Sequence, residues 1–187
     1  PTLAEVVHGT TLVTNTLIER KGVPTALVTT SGMRDALDIG REWRYDLYDL
    51  DLQLPEPLVD KDSRIEVVER MTANGAVLTP LEEEELTRIA EEVKHMGVRS
   101  VAVSFLHAYV NDTHERAVAD YLAKALPDVA VSISSELASE IKEFERTSTV
   151  AASAYVKPLV ADYLTQLQSR IDKVKEDVPL RIMVSSG

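Results

Sequence analysis

Short β-rich runs alternate with helical patterns along most of this chain, and that alternation restricts its fold more than any other feature. Thr25-Ala-Leu-Val-Thr-Thr30, Val98 to Leu106, Val129 to Ser134 and Leu180 to Val184 are brief, apolar and rich in β-branched residues. Between them, apolar residues recur at helical spacing: Leu12, Val13, Leu17 and Ile18, stopped by Gly22; then Leu86, Ile89, Val93 and Met96, stopped by Gly97. A further helical segment is capped at Asn111 or Asp112 and runs to about Leu126. Strands separated by helices pair in parallel, because the helix carries the chain back to the edge where the strand began. The spacing therefore predicts a mixed α/β sheet with parallel strands and flanking helices. Asn74-Gly75 sits between Ile65 to Met71 and Ala76 to Leu78 and predicts an antiparallel hairpin, since both turn positions tolerate positive φ.

Two stretches break the alternation. A short helix around Met33 to Ile39 leads into GREWRYDLYDLDLQLPEPLVDKD, which has no clean period and reads as a long irregular excursion. From about Phe144 to Lys175 a helical pattern runs through Tyr155, Leu159, Tyr163, Leu167 and Ile171. Pro158 interrupts it, which predicts a kink or a boundary, and places a possible sub-boundary near 144–158. The chain opens Pro1-Thr2-Leu3 and stops at Ser185-Ser186-Gly187 directly after an apolar run, so residues 1–187 read as a fragment of a longer protein.

Composition excludes several classes. With 187 residues, 44% of them hydrophobic, a sizeable core can form. A net charge of −11 argues against nucleic acid or an anionic membrane as the main partner, because both require a basic surface. With no cysteine, disulfides, thiolate catalysis and cysteine zinc sites are excluded, and a cytoplasmic location is the expectation. No apolar run approaches the roughly 20 residues that span a bilayer.

Four polar stretches could carry chemistry. His8-Gly9-Thr10-Thr11 reads as a loop at a helix start, where free N–H groups and hydroxyls can hold a phosphate or an oxyanion; Thr14 and Asn15 follow one turn in. The alternative is that a threonine simply caps and His8 packs at a strand end. Gly40-Arg-Glu-Trp-Arg-Tyr-Asp46 holds two arginines that could clamp a carboxylate or phosphate, or form surface ion pairs around Trp43. Ser104 to Glu115 follows a strand end; His107, Asp112 and His114 offer N/O metal ligands, but their spacing fits a helix cap with incidental histidines better. Glu143-Phe-Glu-Arg-Thr-Ser-Thr149 opens the long helix, as a site or as a capped start with an internal ion pair. No P-loop, dinucleotide or nucleophile-elbow motif occurs.

Taken together, HGTTLVTNTLIERKGVPTALVTTSGMRDALDIGREWRYDLYDL, EVVERMTANGAVLTPL, SFLHAYVNDTHE and SSELASEIKEFERTSTVAASAYVKPLVADYL resemble, in that order, the N-terminal region of the hydantoinase A / 5-oxoprolinase family, N-methylhydantoinase A-like. The resemblance covers nearly the whole chain. It implies part of an actin-like ATPase-type fold and an ATP-dependent hydrolase opening hydantoin- or oxoproline-type lactams by activating the carbonyl oxygen. The alternative within the family is the ATP-binding beta-like subunit of an acetone-type carboxylase; a non-catalytic α/β scaffold or regulatory module is the alternative from another class. It implies ATP and Mg²⁺ in the complete enzyme, a hydantoinase B-type subunit or domain as partner, and an oligomer. On this chain it assigns His8, Thr10, Thr11 and Asn15 to catalysis, Gly9 and Thr14 to the cofactor, and Arg41, Arg44 and Asp46 to substrate, with no metal ligand. The nucleotide loops of that fold lie outside the sequence, so the fragment alone is expected to be inactive.

Overall fold

The computed structural model describes residues 4–41, 48, 49, 51, 55–175 and 177–183. In chain order the elements are β1 (Val6–Gly9), α1 (Leu12–Ile18), β2 (Thr25–Thr30), α2 (Ala36–Ile39), β3 (Arg64–Val67), β4 (Arg70–Met71), β5 (Val77–Thr79), α3 (Glu83–Met96), β6 (Ser100–Ser104), α4 (Thr113–Ala125), β7 (Ala130–Ile133), α5 (Ser134–Leu137), α6 (Glu143–Asp172) and β8 (Leu180–Met183). Val184, placed in the last strand by its sequence, lies outside the described residues. Two compact units divide the chain: Pro1–Gly22 with Val156–Gly187, and Val23–Tyr155.

The larger unit is built on a four-stranded sheet in the order β3-β2-β6-β7. Every neighbouring pair in it is parallel, as the alternation predicts. β2 and β6 are buried along their whole length, so both faces are covered. The period of two sorts their side chains. Val28, Val101, Val103 and Ile65 pack with Ile89 and Val93 of α3 and Val118 and Leu122 of α4. Leu27 and Ala102 point the other way, onto Val59 and onto Val150, Ala151 and Ala154 of α6. α3 carries Glu83, Glu84 and Glu85 in its first turn and Lys94 and His95 in its last, matching the helix dipole, and ends at Gly97 in the left-handed conformation.

The hairpin is shorter than the sequence suggests. Only Arg70–Met71 pairs antiparallel with β5, whereas Arg64–Val67 joins the parallel sheet beside β2. The apolar run is divided because Ile65 and Val67 are buried in the main core, which favours sheet pairing. Gly75 holds φ +81, and a Cβ there would stand 3.0 Å from Val110 Cγ1. In the smaller unit, β1 and β8 form a two-stranded parallel sheet with His8 opposite Ile182 and Gly9 opposite Met183. His8 and Gly9 are therefore strand residues, not loop: their partner strand lies some 170 residues away, beyond the reach of any local pattern. α6 continues through Pro158, whose missing N–H cannot bond the preceding turn.

Arg64 is buried and fully engaged. Nε and Nη2 donate to the Val59 carbonyl at 3.1 and 2.9 Å, Nη1 donates to the Arg34 carbonyl at 2.9 Å, and both Nη groups reach the Asp38 carboxylate. The hydrogen bond from Arg64 holds the Asp38 carboxyl below its ordinary value of 3.8. Because folding lowers this pKa, the pair's stabilisation is complete above that range and is lost as the pH falls through it. Asp38→Asn should cost about 1–2 kcal/mol at neutral pH and flatten the loss of stability below about pH 4. Urea unfolding across a pH series checks this; an unchanged acid slope would show the pair to be indifferent.

Candidate active-site cleft

Parallel strands end on one edge, where α/β proteins place ligands. Here that edge carries a buried polar layer. Thr30, at the end of β2, donates its hydroxyl to Glu69 and accepts the Leu106 N–H at 2.9 Å. The other Glu69 oxygen meets His114 Nδ1 at 2.7 Å. Glu115, fully buried on α4, accepts the Phe105 N–H at 2.9 Å, the Ser134 hydroxyl at 2.6 Å and the Ser135 N–H at 2.9 Å. It thereby fastens the ends of β6 and β7 together. Ser104 and Thr147 share a hydrogen bond of 2.8 Å.

Arg146, from the first turns of α6, is 1% exposed. Its Nη2 donates to the Phe105 carbonyl at 2.7 Å, and its guanidinium carbon lies 5.5 Å from the centroid of the Tyr109 ring. Nε and Nη1 are buried and make no hydrogen bond among the described residues. Desolvation lowers the pKa of this guanidinium, opposed by the carboxylates of Glu115 and Glu143.

Above this layer opens a cleft of about 950 Å³, lined by Met33, Ile39 and Gly40 on one side, by His107 and Tyr109 after β6, and by Ile141 to Glu145 where α6 begins. Arg41 lies on it, with Nε 2.8 Å from Glu145 Oε1. A hydrogen bond from its own backbone and the Arg41 pairing hold the Glu145 carboxyl below its usual range, against desolvation. Arg44, Asp46 and Trp43 lie outside the described residues.

The polar set at the start of α1 belongs to the smaller unit. His8 Nε2 is 2.7 Å from the Tyr163 hydroxyl, and the two rings lie 5.6 Å apart. Thr10 Oγ1 accepts the Leu12 N–H at 3.1 Å and Thr11 Oγ1 accepts from the Asn15 side-chain amide at 3.3 Å. Each threonine thus keeps its own O–H to offer, and Gly9, Thr10, Thr11, Thr14 and Asn15 are exposed. These groups fit contacts to anionic oxygens. α1 has only seven residues, so its dipole contributes little.

His107, Asp112 and His114 are not brought together: His114 is bound by Glu69, and Asp112 pairs with Arg116 at 2.7 Å. The helix N-cap is Asp112, whose side chain makes no cap hydrogen bond; Asn111, one residue earlier, accepts the Thr113 N–H at 3.1 Å. Among the described residues no three such side chains could share a metal ion, and no helix is long and apolar enough to cross a membrane. Tyr109 lies in the Ser104 to Glu115 stretch beyond a strand end, whereas no sequence pattern marks Glu69 or Lys142.

The family described as the hydantoinase/oxoprolinase N-terminal region matches residues 1–126. A protein of Methanocaldococcus jannaschii is 40% identical over 97% of this chain and 27% of its own length. The caprolactamase subunit alpha of Pseudomonas jessenii is 30% identical over 97% of this chain and 26% of its own. The crystal structure of the ATP-dependent caprolactamase from Pseudomonas jessenii superposes with a TM-score of 0.88 at 29% identity, covering 95% of this chain and 26% of that one. The chain thus spans about a quarter of the length of these relatives.

Proposed function

We propose that this chain, which belongs to the hydantoinase/oxoprolinase family and carries its N-terminal region, forms part of an ATP-dependent enzyme that hydrolyses cyclic amides. The observation that carries the reading is its likeness, in sequence and in fold, to an ATP-dependent caprolactamase. ATP, with Mg²⁺, would supply a phosphoryl group that makes the lactam carbonyl reactive toward water. Gly9 and Thr14 would lie beside that group, and His8, Thr10, Thr11 and Asn15 would orient it and stabilise the oxygen on which charge develops. The free hydroxyl protons of Thr10 and Thr11 support this assignment. Arg41, with Arg44 and Asp46 of the same segment, would hold the lactam; the place of Arg41 on the cleft supports it. The relative is named as a subunit, which supports a partner of the hydantoinase B type and an oligomeric enzyme; a sequence without cysteine fits a cytoplasmic location.

The test is ADP release by the full-length protein with its partner subunit, with and without lactam. Lactam-dependent ADP release, matched by ring-opened product, is the expected result; its absence with 5-oxoproline, hydantoin and ε-caprolactam alike would overturn the reading. In the same assay Thr11→Val should lower turnover about tenfold or more, equivalent to about 1.4 kcal/mol or more of transition-state stabilisation, with the melting temperature preserved. Lost stability with full activity would mark Thr11 as a local hydrogen-bonding residue only.

A further inference from the structure

The cleft is lined by apolar and by polar groups. Met33, Ile39 and Phe144 supply apolar surface, while His107, Tyr109 and Lys142 supply polar groups. Its described lining holds two permanent cations, Arg41 and Lys142, and two carboxylates, Glu143 and Glu145. One of these cations is already bound to one of these carboxylates. Among the described residues the lining therefore carries no net positive charge that would favour a carboxylate.

His107 stands out within the cleft. Its φ is +60°, a conformation that residues other than glycine rarely adopt. The bend is held by the Val110 N–H on the His107 carbonyl at 2.9 Å and, from beneath, by Arg146 on the Phe105 carbonyl and the Tyr109 ring. Tyr109 meets the imidazole edge-on, with centroids 6.0 Å apart. Nδ1 is buried and makes no hydrogen bond among the described residues, which leaves Nε2 as the ring nitrogen on the open side. The fold thus holds in a costly backbone conformation an imidazole that makes no hydrogen bond among the described residues. Such conformations gather at ligand sites.

We propose that this cleft binds an uncharged cyclic amide, its methylenes against Met33, Ile39 and Phe144 and its amide hydrogen-bonded by His107. This rests on the cyclic-amide reading above and narrows it: a lactam without a carboxylate is preferred to the same ring bearing one. The test compares 2-pyrrolidinone with 5-oxoproline, which differ by that carboxylate alone. Binding to the full-length protein is titrated by saturation-transfer NMR without nucleotide, for the native protein, His107→Gly and His107→Ala. Glycine accepts φ +60° freely, so the first variant keeps the bend while removing the ring. The native protein should bind 2-pyrrolidinone at least about tenfold more tightly than 5-oxoproline, and both variants should weaken 2-pyrrolidinone about tenfold, with the melting temperature of His107→Gly preserved. Equal or tighter binding of 5-oxoproline, unaltered binding by both variants, or no binding of 2-pyrrolidinone each overturns the proposal. An enzyme that releases ADP with lactam yet fails here keeps its proposed function and loses this site. One that binds the uncharged ring through His107 without ADP release keeps the site and loses the function.

Discussion

Glu115→Ala is expected to destabilise the protein by about 3–5 kcal/mol, the cost of breaking a buried charged network by removing one partner. The carboxylate accepts three hydrogen bonds, from the Phe105 and Ser135 N–H groups and the Ser134 hydroxyl. Removing it strands two buried donors, of Phe105 and Ser134, and the part-buried Ser135 N–H, at a desolvation cost of about 1–3 kcal/mol for each buried donor before relaxation. It also removes a counter-charge of the buried Arg146 guanidinium. The donors belong to the ends of β6 and β7, so the loss falls on the edge that supports the cleft. Urea unfolding is the measurement: the midpoint should fall by more than about 1 M with the slope retained. A loss below about 1 kcal/mol would mean that the three donors find other partners.

In the full-length enzyme, Arg41→Lys is expected to raise KM for the lactam, or lower kcat/KM, by about ten- to a hundredfold, equivalent to about 1.4–2.7 kcal/mol of lost transition-state binding. Arginine presents a planar fork whose orientation Glu145 fixes through Nε at 2.8 Å; lysine replaces it with a mobile point charge. KM for ATP should change little, since the proposed nucleotide contacts lie in another segment. Arg44→Lys provides the parallel measurement on the same segment. Steady-state kinetics with lactam and ATP varied separately decide the matter. If neither substitution moves the lactam parameters, the segment is structural and the substrate assignment fails.

What could be read from residue order was whatever the backbone settles locally. TALVTT and the VAVS of β6 declare buried strands because β-branched apolar residues crowd a short window. Glu83 to Gly97 declares its own helix through the apolar spacing, the acidic first turn and the glycine stop. Asn74-Gly75 located its turn correctly, though not the length of the strands beside it. The parallel sheet followed from the alternation of these pieces, and the family from long collinear motifs.

The tertiary structure alone decided the rest. His8 lies in a strand because β8 pairs with it, and it meets Tyr163 across 155 positions of sequence. Glu69, Glu115 and Arg146 look like surface residues by type, yet all three are buried. A charged side chain enters a core only where donors and acceptors converge on it. For Glu115 these come from positions 105, 134 and 135, and for Glu69 from 30 and 114. Hydrophobic periodicity records which side of an element meets the core, and it is blind to such convergence. The same holds for His107: its place on the cleft depends on an arginine 39 positions later that holds the Phe105 carbonyl.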